Sequence, residues 1–135
     1  DVYRNNVIAT ENLIAAAIEA GCRNLIFAST TWVQPARYGN PVGSWVPVNA
    51  YGRSKAYGEG LMKSLPRNVT VPAIVRIGSV PRMGEKPRVP EWIWRITPND
   101  VGLSLYEAFE TPRNHHADGR CLVIDLAETT MRSKA

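Results

Sequence analysis

The first twenty residues carry apolar side chains at helical spacing. Residues three and four apart on a helix share one face, and the chain places apolar residues in this way up to Ala20. The stripe consists of Val7, Leu13, Ile14, Ala17 and Ile18. Gly21 follows in the position of a helix C-cap. The pattern therefore predicts a helix over residues 4–20.

Three short apolar runs later in the chain show no helical spacing. In the first run, Leu25, Ile26 and Phe27 follow one another without a polar residue between them. Contiguous runs of this length are typical of strands buried on both faces, as in parallel sheets. The pattern predicts strands over residues 24–29, 73–78 and 121–125.

Two further helices are predicted between these strands. Asn49 is a suitable N-cap for a helix over residues 50–65 that Pro66 ends. Asn99 or Asp100 caps another helix over residues 99–110, and long loops at 34–48 and 80–98 complete the chain. Helices that alternate with buried strands predict an α/β fold with about three parallel strands. We expect one domain over residues 1–126 and a frayed tail over residues 127–135.

Composition and charge exclude several classes of protein. Hydrophobic residues make up 44% and charged residues 21% of the 135-residue chain, as in a folded globular domain. The net charge of +4 comes from arginines that are spread along the chain, so nucleic-acid binding is a weak alternative. The spacing of Cys22 and Cys121 indicates neither a metal site nor a redox pair. No apolar run spans a membrane, and we expect a cytoplasmic protein.

The segment Tyr51-Gly-Arg-Ser-Lys55 carries candidate chemistry. Its tyrosine and lysine lie four residues apart at the start of the second predicted helix, so they share a face. A nearby cation lowers the pKa of a phenol and makes it a better partner for proton exchange near neutral pH. The alternative is an ordinary helix with a half-buried tyrosine and a solvated lysine.

Three segments together resemble extended short-chain dehydrogenase/reductases, the NAD-dependent epimerase/dehydratase family. They are Asn6-Val-Ile-Ala-Thr-Glu-Asn-Leu, Leu25-Ile-Phe-Ala-Ser-Thr and Tyr51-Gly-Arg-Ser-Lys-Ala-Tyr-Gly-Glu59, and they occur in the family's order. The resemblance covers roughly residues 1–110. It implies a partial Rossmann-like layer and an NAD or NADP cofactor.

The resemblance also assigns roles to individual residues. Tyr51 is the expected general acid/base, and Lys55 lowers its pKa and binds the nicotinamide ribose. Thr30 matches the hydroxyl that holds the substrate oxygen, with Ser29 as the neighbouring candidate. The remaining two expectations are Asn6 in a proton relay and Ile77 in the cofactor site. Alternatively, the hydroxyls satisfy backbone groups where the strand ends, and Asn6 is simply a polar residue of an exposed helical turn.

A narrower resemblance concerns the substrate. Ser79 follows the second predicted strand and Arg88 lies in the next loop, as do the residues that grip the sugar acid in uronate dehydrogenases. A guanidinium can form two parallel hydrogen bonds to a carboxylate. The alternative is that Arg88 is one of many exposed arginines.

The family's glycine-rich turn is absent from the sequence. That turn holds the cofactor pyrophosphate at a helix N-terminus, and no G-x-x-G-x-x-G or G-x-G-x-x-G occurs here. We therefore expect a chain that lacks the nucleotide-binding half, either as a fragment or as a natural truncation. We also expect the isolated chain to be inactive.

Two functions follow from these observations. The first is an NAD(P)-dependent oxidoreductase or epimerase that acts on a sugar acid or nucleotide sugar. The alternative is a non-catalytic remnant that acts as a dimeric binding or assembly module. In either case we expect a homodimer through helices 4–20 and 50–65, whose apolar faces include Leu13, Ala17, Ile18, Ala56, Leu61 and Met62.

Overall fold

Helices and parallel strands alternate along the chain in the computed structural model. It describes residues 1–34, 47, 49–66, 68–78, 80, 96–110 and 121–126. The helices are α1 (Val2–Glu19), α2 (Ala50–Ser64) and α3 (Pro98–Glu110), and the strands are β1 (Asn24–Thr30), β2 (Val71–Ile77) and β3 (Leu122–Asp125). A short 3-10 turn, Thr31–Val33, follows β1. The predicted tail and the predicted loops at 34–48 and 80–98 fall largely or wholly outside the described residues.

The three strands form one parallel sheet in the order β1-β2-β3. This confirms the predicted fold class and all six predicted elements, with ends that differ by a few residues. In the β1–β2 register, Ser29 lies opposite Arg76, and Thr30 lies opposite Ile77. The last residues of both strands therefore meet at the same edge of the sheet.

Helices cover both faces of the sheet. On one face Val75, Ile96 and Leu126 form a buried cluster. Its partly buried neighbours come from the strands, from α3 and from Val80, which follows β2: Ile26, Ile77, Val80, Val101, Leu105, Ala108 and Ile124. On the other face α2 packs on β1, where the Phe27 ring occupies the space that a side chain at Gly58 would need. Helix α1 packs against α2.

The ends of the helices follow from local capping. The C-cap of α1 is Ala20, one residue before the predicted position. Gly21 follows it with a φ of 71°, and the amides of Gly21 and Cys22 donate to carbonyls in the last turn of α1. Asn49 caps α2 as predicted, because its Oδ1 accepts from the amide of Gly52 at 2.6 Å. The cap of α3 was predicted wrongly. Thr97 exchanges hydrogen bonds with Asp100, and the helix begins at Pro98.

The apolar faces of α1 and α2 are exposed to different degrees. In the predicted stripe, Leu13 is 71% exposed, and α1 contributes no buried residue. Met62 of α2, in contrast, is only 1% exposed and belongs to the core of the chain. It is therefore unable to contribute to an interface with a second chain. No helix of the described ranges is long and apolar enough to cross a membrane.

Candidate functional site

A cleft opens where β1 and β2 end and α2 begins. Its volume is about 340 Å³. The residues that line it are Ala28, Ser29, Thr30, Trp32, Tyr51, Lys55, Ile77 and Gly78. In open parallel sheets, ligands bind in the crevice outside the carboxyl ends of the strands. Five of the predicted site residues therefore share one cleft in the position expected for a ligand: Ser29, Thr30, Tyr51, Lys55 and Ile77.

The first turn of α2 places Tyr51 at this cleft. Asn49 fixes the start of the helix, and Gly52 lets its backbone lie against the 3-10 turn. A Cβ at Gly52 would come within 2.5 Å of the carbonyl oxygen of Trp32, so this close approach requires glycine. Tyr51 is 40% exposed, and its ring is accessible from the cleft.

Lys55 lies one turn further along the same face of α2. Its Nζ donates to the carbonyl oxygen of Ala28 at 2.9 Å. The same atom lies 5.1 Å from the centre of the Phe27 ring and 5.9 Å from the centre of the Tyr51 ring, within the range of cation–π attraction. Burial lowers the pKa of Lys55 below its ordinary value of 10.5. The charge is therefore held beside the tyrosine by β1, as the four-residue spacing predicted.

The two hydroxyl candidates on β1 have different partners. Ser29 is buried, and its Oγ donates to Oε1 of Glu59 at 2.7 Å. Thr30 is also buried, and its Oγ1 accepts from the amide of Trp32 at 3.3 Å. A hydroxyl carries one donor and two acceptor positions. The bond to Trp32 therefore uses an acceptor position of Thr30, whereas the bond to Glu59 uses the proton of Ser29.

Asn6 does not line the cleft. Its Nδ2 donates to Oγ of Ser54 at 2.9 Å, and that hydroxyl donates to the carbonyl oxygen of Tyr51 at 2.7 Å. Asn6 thus connects α1 to the backbone of the turn that carries Tyr51. The predicted substrate residues Ser79 and Arg88 lie outside the described residues.

A buried ion pair that was not predicted from the sequence lies beneath the cleft. Glu59 of α2 receives two hydrogen bonds from Arg76 of β2, from Nε at 2.8 Å and from Nη2 at 2.7 Å. Lys63 lies 3.4 Å from the same carboxylate. Two signals in the sequence could have indicated this pair. Arg76 interrupts the apolar run of β2, and Glu59 lies four residues after Lys55 on the same helix face.

The charges around Glu59 decide its protonation. Burial alone would raise the pKa of Glu59. The hydrogen bonds from Arg76 and Ser29, with the positive charges of Arg76 and Lys63, outweigh burial and lower this pKa below its ordinary value of 4.5. Glu59 is therefore an anion at neutral pH. No group of metal-binding side chains occurs within the described part of the chain.

Comparisons with known proteins identify relatives of the first part of the chain. Residues 1–81 match the profile of the NAD dependent epimerase/dehydratase family. A UDP-glucose 4-epimerase of Azospirillum brasilense is 35% identical over 66 residues, which cover 47% of this chain and 19% of that protein. UDP-glucose 4-epimerase 2 of Arabidopsis thaliana is 29% identical over 72 residues, which cover 49% of this chain and 20% of that protein. The matched stretches thus span about a fifth of the length of these relatives. No solved structure matches significantly.

Proposed function

Because the chain belongs to the NAD dependent epimerase/dehydratase family, we propose that it acts on a nucleotide sugar by hydride transfer between a sugar carbon and NAD. The observation that carries this proposal is the arrangement of Tyr51, Lys55 and Thr30 around one cleft at the carboxyl ends of β1 and β2. Nucleotide sugars are preferred as the substrate class because both curated relatives are UDP-glucose 4-epimerases.

The proposed reaction oxidises a sugar hydroxyl to a carbonyl and can run in reverse. A nicotinamide held by Lys55 and Ile77 would supply the hydride acceptor for the sugar carbon. The proton leaves the hydroxyl oxygen at the same time, and the phenolate form of Tyr51 accepts it to become the neutral phenol. Lys55 keeps a positive charge beside the ring of Tyr51 and holds the nicotinamide ribose. Thr30 donates its hydroxyl proton to the reacting oxygen and orients the sugar.

The residues at the cleft suit the nicotinamide end of the cofactor. Lys55 supplies an ammonium donor, and Ile77 supplies an apolar wall beside Gly78. The pyrophosphate end has no matching glycine-rich turn in the sequence. We therefore expect no turnover by the isolated chain, because hydride transfer requires a nicotinamide held against the substrate. The sugar-acid alternative depends on Ser79 and Arg88.

Binding of half the cofactor tests this proposal directly. Reduced nicotinamide mononucleotide lacks the adenosine part, so its binding does not require the missing turn. In NMR titrations of the isotope-labelled chain, we expect it to shift the amide signals of Thr30, Tyr51 and Gly78. UDP-glucose added afterwards should shift the same amide signals further. Shifts confined to another surface, or none at millimolar concentration, would contradict the proposal.

A matched pair of variants separates charge from shape in this titration. Lys55→Met removes the ammonium but retains most of the aliphatic stem, and it should weaken binding about tenfold, as expected for loss of a charged hydrogen bond. Arg23→Met removes an exposed charge at the opposite end of β1 and should leave binding within about twofold, since exposed charges contribute little. Equal effects of the two variants would indicate attraction by net charge alone.

We also propose that the chain forms a homodimer through α1 and α2. On α1, the large apolar side chains of Val2, Tyr3, Ile8 and Leu13 are all more than a third exposed. Large apolar side chains that are exposed along one helix are available for contact with a second chain, and contiguous patches of such residues mark interaction sites. The assembly would serve either the catalytic function or the alternative, non-catalytic module.

Sedimentation equilibrium provides the test of assembly. We expect twice the mass of the 14.9 kDa chain at micromolar concentration, with an interface of more than about 1,000 Å² in total. Leu13→Glu should raise the dissociation constant about tenfold or more, as loss of an interface hot spot does. Leu103→Glu on α3 is the matched control and should have no effect. A monomer at high micromolar concentration would refute the dimer.

A further inference from the structure

The carboxylate of Glu59 joins three elements beneath the cleft. It lies on α2, it accepts from Ser29 of β1 and from Arg76 of β2, and only 4% of the residue is exposed. Ser29 and Arg76 are direct partners in the parallel register. One carboxylate therefore fixes a cross-strand pair that lies one residue before Thr30 and Ile77, both of which line the cleft.

The same contact decides which hydroxyl is presented to a ligand. Successive side chains of a strand point to opposite faces of the sheet. Ser29 lies on the face of α2, where its hydroxyl donates a hydrogen bond to Glu59 at 2.7 Å. Thr30 therefore lies on the other face at the strand end. Its bond to Trp32 uses an acceptor position, so the hydroxyl proton has no acceptor among the described residues. An ionised carboxylate accepts this hydrogen bond more strongly than a neutral group would.

We propose that Glu59 is a positioning residue for the catalytic cleft, which it shapes by holding Ser29 and Arg76 so that Thr30 faces the substrate across from Tyr51. The role of Thr30 in this statement rests on the proposed function. Ser29 is then a fixed attachment point of β1 and takes no part in binding the sugar. The contacts of Glu59 with Ser29 and Arg76 are called the clamp below. Because Lys55 donates to Ala28, the residue before Ser29, the clamp also sets the position of the ammonium.

Removal of one hydroxyl tests the clamp without a change of charge. Ser29→Ala frees β1 from Glu59, and the carbonyl of Ala28 should move away from Lys55. The ammonium loses one carbonyl acceptor but gains contact with water. Because burial is what lowers the pKa of Lys55, the gain of water should outweigh the lost bond, and this pKa should rise. It can be followed by NMR of the lysine side chain. Affinity for reduced nicotinamide mononucleotide should fall about fivefold, the equivalent of one hydrogen bond.

The matched control lies at the opposite end of the same two strands. Thr70 is buried, and its Oγ1 donates to the carbonyl of Arg23 at 3.3 Å. Thr70→Val removes this hydroxyl and should lower stability as Ser29→Ala does, yet leave the Lys55 pKa and the cleft signals unchanged. Ser29→Thr retains a hydroxyl and should restore both values. If the contact between Ser29 and Glu59 were merely structural, Ser29→Ala would lower stability and leave the titration of Lys55 unchanged. That result would overturn the proposal.

Glu59→Gln gives a second, independent check. Loss of the negative charge by itself would lower the Lys55 pKa, whereas loosening of β1 would raise it. The added effect of Ser29→Ala separates the two: in the Glu59→Gln background it should change the Lys55 pKa less than in the unaltered chain, and an equal change would contradict the clamp. Failure of the nucleotide to bind even the unaltered chain would refute the proposed function, while the titration of Lys55 would still decide the role of Glu59.

Discussion

Replacement of Glu59 by alanine should destabilise the fold by about 3–5 kcal/mol, the cost of removing one partner from a buried ion pair. The change leaves the guanidinium of Arg76, whose side chain is 19% exposed, without its bidentate acceptor, and it deprives Ser29 of its acceptor. Since domains are stable by only about 5–15 kcal/mol, urea denaturation should show a large shift of the midpoint.

Glu19→Ala is the matched control for charge and residue type. Glu19 is an exposed carboxylate in the last turn of α1, where a negative charge is unfavourable for the helix dipole. Its replacement should change stability by less than about 0.5 kcal/mol. A similar small effect for Glu59→Ala would show that the ion pair contributes little and would weaken the role assigned to it.

The same ion pair predicts a specific dependence on pH. Although burial opposes it, the folded pKa of Glu59 is lowered below 4.5 by Arg76 and Ser29. Its contribution is therefore complete above the unfolded value and is lost as the pH falls through the folded value. The stability difference between the unaltered chain and Glu59→Ala should shrink as the pH is lowered below about 4.5. A difference that stays constant in acid would contradict this assignment.

Gly52→Ala should also be strongly destabilising, by about 3 kcal/mol, the upper part of the usual range for overpacking. The added Cβ would meet the carbonyl oxygen of Trp32 at 2.5 Å and Cβ of Pro47 at 3.1 Å. A backbone carbonyl is unable to rotate away as a long side chain does, so the first turn of α2 must shift. Because Tyr51 precedes Gly52, the variant should also shift the NMR signals of the cleft.

Gly60→Ala in the same helix provides the control. Nothing lies within 4 Å of a Cβ at this exposed position, so alanine should stabilise the helix by about 0.5–1 kcal/mol. The two substitutions are chemically identical and should have opposite signs in thermal unfolding. Equal effects would show that the contact between Gly52 and the 3-10 turn does not restrict the chain.

Elements with strong local signals were predictable from the sequence. The contiguous apolar residues of β1 and the capping residues Gly21 and Asn49 act through neighbours in the chain, so pattern and propensity specify them. The cap of α3 was misassigned because Thr97, Asn99 and Asp100 are all good capping residues, and only the geometry of the turn selects Thr97.

The candidate site was predictable where its residues are close in sequence. Tyr51 and Lys55 share one helix face, so their proximity follows from spacing alone. The contacts of Glu59 with Ser29 and Arg76 depend on how α2 crosses the sheet. These partners are separated from Glu59 by 30 and 17 positions in the chain, so no local sequence pattern indicates them. The distinction between Ser29 and Thr30 likewise required the partner of each hydroxyl.

The parallel register of β1 and β2 has a consequence for how the chain folds. The two strands pair Asn24 with Val71 and Thr30 with Ile77, and parallel neighbours are joined only by a long crossover, which here contains α2. Contacts this distant in sequence form late and slow the folding of a domain. The residues that line the cleft come together only after β1 and β2 have paired. The ability to bind a ligand should therefore appear in the final, cooperative step of folding and not in an early helical intermediate.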